Sequence, residues 1–395
     1  MKSISKYLNV STFALIISPL LSLPIVLSAI YNKKRNFIFY ISFFYGILVY
    51  LFIPREDMDS AGRYFLYEFF LDQSFSDFLT YIGFRVDYIF YYLIYLFAYY
   101  KIKFQLLLFF FGFISVYIPL KIFEKLFNKD SFGNKSFLLV ILFILSAISL
   151  QYVLSGIRQL LGFNLILISL YQFYFKKKYM SSFLFYVFGL FTHFSCALFL
   201  PIVIILKFFN QKFIILTVIA VFLITIFGGN FLQTTLFDFF SVNDNLLEKV
   251  NSYAITDKDT SSSSSLTLLA LFLKNVWVPF SVIFYFRNKA DNRFSSFFLT
   301  ALIPLVFFFA YPSIWIRYAD FLKLVFSYYF IYFLVYKNID KNWFSLFFLL
   351  YIFEPLYTIF RVLTNSIIVS YFDFSNLTIY GILNKTTLFK DVLPI

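Results

Sequence analysis

Long uninterrupted apolar runs decide what this chain can fold into. Segments 10–30, 37–53, 104–120, 136–154, 157–175, 213–229, 266–286, 295–313, 318–336 and 343–360 each hold roughly 17–21 residues with few charges. About 20 apolar residues in a helix cross the roughly 30 Å hydrocarbon layer of a membrane. The pattern therefore predicts an all-α, polytopic integral membrane protein with about 11–12 transmembrane helices, read as a single membrane domain over residues 1–395. Composition agrees: 61% of residues are apolar and 13% charged, against roughly a quarter charged in soluble domains. Little chain is left for a separate soluble catalytic domain, so any site must be assembled from helix ends and short loops. The single cysteine excludes an intramolecular disulfide. The net charge of +13 is spread in short clusters between apolar runs, the arrangement of cytoplasmic loops rather than of a nucleic-acid surface.

Those clusters orient the chain. Lys33, Lys34 and Arg35, then Lys121, Lys125, Lys129 and Lys135, then Lys176, Lys177 and Lys178 follow the first, third and fifth spans. Arg287, Lys289 and Arg293, and later Lys337 and Lys341, stay on the same side only if 180–206 crosses an even number of times. That segment, interrupted at Thr192-His193 and followed by Pro201, is read as a helical hairpin with His193 at its tip, within a cavity opening outward. The stretch 54–103 carries Glu56, Asp57, Asp59, Glu68, Asp72, Asp77 and Asp87 and reads as an extracytoplasmic loop. Its run Tyr88 to Tyr100 is too short to span and is read as an amphipathic helix at the outer interface. Residues 230–265, with acids and the Ser261 to Ser265 run, form the second outside loop. The N-terminal apolar segment reads as an anchor rather than a removed signal peptide.

Ionisable residues at the edge of the apolar region are functional candidates by default. Arg158, with Gln159 beside it, sits at an outer junction where arginine is normally disfavoured, and its planar donor fork suits phosphate or pyrophosphate. His193, the sole histidine, offers an imidazole suited to general base catalysis or to donation to phosphate. Arg317 and Asp320 share a helix face with Lys323 below, either a structural ion pair or a cationic lining for an anionic head group. Arg361 closes the last span on the same outer side. Asp57 and Asp59, near Tyr64 and Tyr67, combine the acceptors and ring faces that bind sugars. No GxGxxG, P-loop, GxSxG elbow or His/Cys metal cluster is present, so no cofactor is expected.

The order of these elements resembles the EpsG family of Wzy-like bacterial polysaccharide polymerases. The resemblance rests on the Asp57-Met58-Asp59 start of the outside loop, Asp87-Tyr88, Gly156-Ile157-Arg158-Gln159-Leu160, the lysine turn, Leu190-Phe191-Thr192-His193-Phe194-Ser195 with Pro201, and Arg317-Tyr318. It covers roughly residues 10–340. It implies a GT-C-like architecture in the bacterial inner membrane and a glycosyltransferase that joins undecaprenyl-pyrophosphate-linked repeat units into O antigen, capsule or exopolysaccharide. Arg158 and Arg317 would clamp pyrophosphate, Arg361 would assist, His193 would act on the acceptor hydroxyl, and Asp57 or Asp59 would bind sugar. The implied partners are lipid-linked glycans, membrane lipids and a chain-length regulator. The alternatives are an O-antigen ligase acting on the same donor and a flippase, though a transporter should show paired halves with broken spans.

Overall fold

A computed structural model describes residues 23–34, 36–51, 59–83, 87–154, 156–209, 275–288, 290–309, 312–337 and 341–364, with isolated positions at 213, 216, 219, 220, 223 and 339. Among them all regular structure is helical and no strand occurs. The expected loop 230–265, the larger parts of segments 10–30 and 213–229, and residues 266–274 of the segment 266–286 lie outside the described residues. Two described helices, Phe104–Leu126 and Ile314–Tyr336, are long and apolar enough to cross a membrane.

Several other expected spans are shorter or broken. The run 136–154 is a helix from Asn134 to Ala147 and a second from Leu150 to Leu154, separated by Ile148 in extended conformation. Two serines accompany the break: Ser146 Oγ donates to the Phe143 carbonyl, and the Ser149 carbonyl accepts from Val153 N to open the second piece. The run 157–175 is α-helical from Ile157 to Tyr171 and then widens into a π-helix over Gln172–Lys176. Lys177, at φ 56°, closes it in the left-handed region. Within 180–206, a helix over Tyr179–Thr192 gives way to a 3-10 turn over Phe194–Leu198 and a helix over Phe199–Phe208.

The chain divides into two compact units: Met1–Ser169 with Phe183–Phe194 and Glu354–Ile395, and Leu170–Ser182 with Ser195–Phe353. In the first, α1 (Phe37–Leu51) packs along α2 (Phe104–Leu126). Between apolar helices in an apolar solvent, close backbone approach supplies the contact energy that hydrophobic burial supplies in water. Glycines make that approach possible. A Cβ on Gly112 would lie 2.6 Å from Val49 Cγ2 and 3.2 Å from the Tyr45 carbonyl, and one on Gly46 would lie 2.8 Å from the Phe109 ring. Phe43 and Phe109 meet edge to face beside the crossing, centroids 5.3 Å apart.

The stretch read as an outside loop folds as three helices, α3 (Asp59–Phe70), α4 (Phe75–Ile82) and α5 (Tyr88–Tyr99). A capping box starts α4: Ser74 Oγ accepts from Asp77 N, and Ser74 N donates to Asp77 Oδ2. Donation by the Ser74 hydroxyl, and then by its amide, holds the Asp77 carboxyl below its ordinary range. On α5, Phe90, Tyr91, Ile94, Tyr95 and Ala98 form a buried helical stripe, while Tyr88, Tyr92 and Tyr99 are exposed. Phe78 stacks on Tyr95 with centroids 4.4 Å apart, tying α4 to α5.

The second unit is built around α6 (Pro312–Tyr336), in which every residue from Phe321 to Ile331 is buried. It packs against α7 (Asn292–Phe307) and α8 (Trp277–Arg287). Phe284 of α8 is edge-on to Phe326, Phe330, Phe333, Trp343 and Phe347, at centroid distances of 5.1 to 5.9 Å. Aromatic edges and faces thus fill this core.

The glycine contact makes an opposite-sign prediction at two sites. Gly112→Ala, despite the better helix propensity of alanine, overpacks the α1–α2 contact and lowers stability by about 1–3 kcal/mol. Gly62→Ala, where an added Cβ meets nothing within 4 Å, raises stability by up to about 1 kcal/mol. Thermal unfolding of the detergent-solubilised protein, followed by circular dichroism, measures both.

Candidate functional site

Arg158 lies in the first turn of α9 (Ile157–Tyr171), directly after a corner that requires glycine. A Cβ on Gly156 would fall 2.0 Å from Tyr152 Cδ1, so no larger residue fits there unless the preceding turn moves. The helix that ends just before His193, α10 (Tyr179–Thr192), passes α9 closely: a Cβ on Gly189 would lie 3.3 Å from the Gly162 carbonyl and 3.1 Å from Ile166 Cδ1. Arg158 precedes Gly162 by four residues and His193 follows Gly189 by four. Four helical residues rise about 6 Å, so with the helices antiparallel both side chains reach the same end of the pair.

At that end, a carboxylate joins them. Asp87 is the residue before α5, yet its side chain makes no helix-capping bond. Arg158 Nη1 donates to Asp87 Oδ2 at 2.5 Å. The Phe194 backbone N–H donates to Asp87 Oδ1 at 3.2 Å, and His193 Nδ1 lies 3.9 Å from that oxygen. Asp87 is 1% exposed and His193 8%, which places the group in a medium that strengthens electrostatic interactions relative to water. The α10 helix ends there because Thr192 Oγ1 donates to the Phe188 carbonyl and His193 N to the Gly189 carbonyl, after which the chain turns into the 3-10 segment. The Tyr88 ring meets Phe191 edge-on, centroids 5.8 Å apart, and packs the start of α5 against the end of α10.

The first unit thus brings Arg158 and His193 together, with Gln159 buried beside Arg158. Asp87 was legible in the sequence as one of several outside acids and as part of the Asp87-Tyr88 element, but not as the link between the other two. One signal pointed to it: it is an acid immediately before a long aromatic run, where a carboxylate needs a partner to be buried. Asp57 lies outside the described residues. Asp59 begins α3, and its side chain, like that of Arg361, lies outside what is described. Among the described residues no group of three His, Cys, Asp or Glu is placed to hold a metal ion.

Arg317, Asp320 and Lys323 belong to the second unit, on α6. Arg317 and Asp320 are partly buried. The neighbouring Tyr318 donates its hydroxyl to the Ser195 carbonyl at 2.6 Å and stacks on Phe308. Lys323, 1% exposed, donates to the Tyr351 carbonyl at 3.2 Å and sits 4.9 Å over the Tyr351 ring, while the Tyr351 hydroxyl donates back to the Lys323 carbonyl at 3.1 Å. The reason lies four residues on. Tyr351 is in α11 (Lys341–Thr364), which contains Pro355, and a proline has no N–H for the carbonyl four residues earlier. Lys323 supplies that missing donor.

Comparison with known families places the chain: the EpsG family matches residues 62–377, most of its length, and the chain belongs to that family, one of Wzy-like polysaccharide polymerases. No curated protein and no solved structure matches it.

The proline explanation for Lys323 is testable by a double-mutant cycle. Lys323→Met leaves the Tyr351 carbonyl without its lysine donor and lowers stability by about 1–3 kcal/mol. Adding Pro355→Ala restores the helical N–H and recovers part of the loss, so the pair is non-additive. Melting midpoints of the four proteins in one detergent check it.

Proposed function

We infer that this EpsG-family protein is a multi-pass glycosyltransferase of the bacterial inner membrane. It joins undecaprenyl-pyrophosphate-linked oligosaccharide repeat units at the outer face. The observation that carries the reading is the meeting of Arg158 and His193 around the buried Asp87 carboxylate, at adjoining ends of two helices.

The chemistry asks for such a pair. Transfer of a growing glycan from its lipid carrier breaks a C1–O bond and leaves negative charge on pyrophosphate. A preorganised guanidinium in a poorly hydrated site stabilises that charge without reorganising at the moment of reaction. Arg158, with Gln159 beside it, binds the leaving pyrophosphate, and Arg317 and Arg361 are suited by residue type to the same anionic group. His193 takes the proton from the attacking sugar hydroxyl of the next lipid-linked unit. Asp57 and Asp59 bind sugar hydroxyls. No nucleotide enters the scheme, because the activated bond is already present in the lipid-linked donor.

Deletion of the gene in the source bacterium, followed by complementation at matched expression, tests the reading on a gel of surface polysaccharide. The expected result is single repeat units in the deletion strain and a ladder restored by the wild type. Arg158→Ala and His193→Ala each lower polymer by about 100-fold or more. If the deletion removes even single capped units, the protein acts as a ligase or flippase. If both variants restore the ladder, the assigned site is wrong.

A further inference from the structure

The reaction as written uses an arginine and a histidine, yet the most buried ionisable group of the site is the carboxylate between them. Asp87 is the residue before α5, where a carboxylate ordinarily accepts from the first backbone N–H groups of its own helix. It makes no such bond. Both its oxygens are instead directed to segments distant in sequence: Oδ2 to Arg158, 71 positions on, and Oδ1 to the Phe194 amide, 107 positions on. Burying a carboxylate away from water is costly unless cations and donors compensate it. A residue needed only to start α5 would be served at lower cost by a serine or threonine, facing its own helix.

The geometry around His193 adds a directional element. The oxygen that accepts from Phe194 lies 3.9 Å from His193 Nδ1 and so faces one nitrogen of the imidazole. At 3.9 Å this is an electrostatic contact and not a hydrogen bond; the same oxygen holds the amide of the next residue, Phe194, and so ties down the turn that carries His193. On the other side, Asp87 engages one amino nitrogen of Arg158 and fixes the plane of the guanidinium.

We propose that Asp87 is the positioning residue of the polymerisation reaction, an inference that rests on the function argued above. It sets the orientation of the Arg158 guanidinium toward the pyrophosphate and, by accepting from the Phe194 amide, holds the turn that presents His193 as the base. In the step, the acceptor hydroxyl oxygen bonds to C1 of the donor glycan. The C1–O bond to pyrophosphate breaks with its electron pair on the departing oxygen. The hydroxyl proton moves to the His193 imidazole and from there to solvent, and the Asp87 carboxylate, 3.9 Å from Nδ1, stabilises the imidazolium while it exists.

The test uses the full-length protein in lipid nanodiscs, with lipid-linked repeat units extracted from the source bacterium. Initial rates give kcat and KM, and thermal melting reports the folded fraction. Asp87→Asn keeps an oxygen for the Phe194 amide but removes the charge. It is expected to melt below the wild type while staying folded at the assay temperature, to change KM by less than about threefold, and to lose about 100-fold in kcat beyond what the folded fraction explains. Asp87→Glu, which restores the charge one methylene away, is expected to recover about tenfold of that loss. Wild-type kcat in folded Asp87→Asn would overturn the proposal. Should that variant fail to fold, Asp87→Glu decides: a folded protein whose kcat falls about tenfold with KM within about threefold supports a positioning role, and one with wild-type kcat overturns it. If the wild type itself makes no polymer, the failure lies with the proposed function. If the wild type polymerises and Asp87→Asn does so equally, this inference alone falls.

Discussion

A carboxylate removed from water is the constraint on which the end of the first unit that joins Arg158 and His193 depends. Asp87 is held there by a guanidinium at 2.5 Å and a backbone amide at 3.2 Å, and without both the burial would cost several kcal/mol. The dependence runs in both directions. The start of α5, the first turn of α9 and the turn after α10 are positioned by one carboxylate, and the last two in turn supply the donors that compensate its burial. A site of this kind is stiff, because no member can move without stranding a charge in a medium that does not solvate it.

The same scarcity of water explains features elsewhere in the molecule. Where neither neighbour nor solvent offers a hydrogen bond, a freed backbone group must find a partner within the protein. Pro355 frees the Tyr351 carbonyl, and Lys323 occupies it while stacking on the same residue's ring. Close packing replaces burial as the source of contact energy, so glycines mark where helices touch: Gly46 and Gly112 between α1 and α2, Gly162 and Gly189 between α9 and α10. The contact at Gly189 also lies one turn from His193 and brings that residue to the level of Arg158.

Arg158 and His193 were legible in the sequence because each is an anomaly in its surroundings. A fixed charge at the head of an apolar run and the sole imidazole of the chain stand out against a background of Phe, Leu and Ile. The short run from Tyr88 was legible through its length and flanking charges. Asp87 was legible only in part: its place before an aromatic run sets it apart from the other acids of its stretch, but the partners that give it meaning lie far along the chain. Lys323 was opaque. By spacing it belongs with Arg317 and Asp320, but the carbonyl it serves is set by a proline on another helix. The interruptions at Ile148 and Gln172 were hidden for a different reason. Hydropathy integrates over a window, whereas a serine bond or a π-turn alters the backbone at one residue without changing the mean.

Composition and periodicity determined that the chain is helical and apolar, which runs pack against apolar surroundings, and which side of each run carries basic residues, because those properties are sums over local side chains. The order of its short motifs sufficed to identify the EpsG family. What tertiary structure alone decided is which polar groups meet. A buried charge takes whichever partner the fold brings within about 3 Å, and that distance is set by glycine contacts, helix ends and one proline acting far from the residues they bring together.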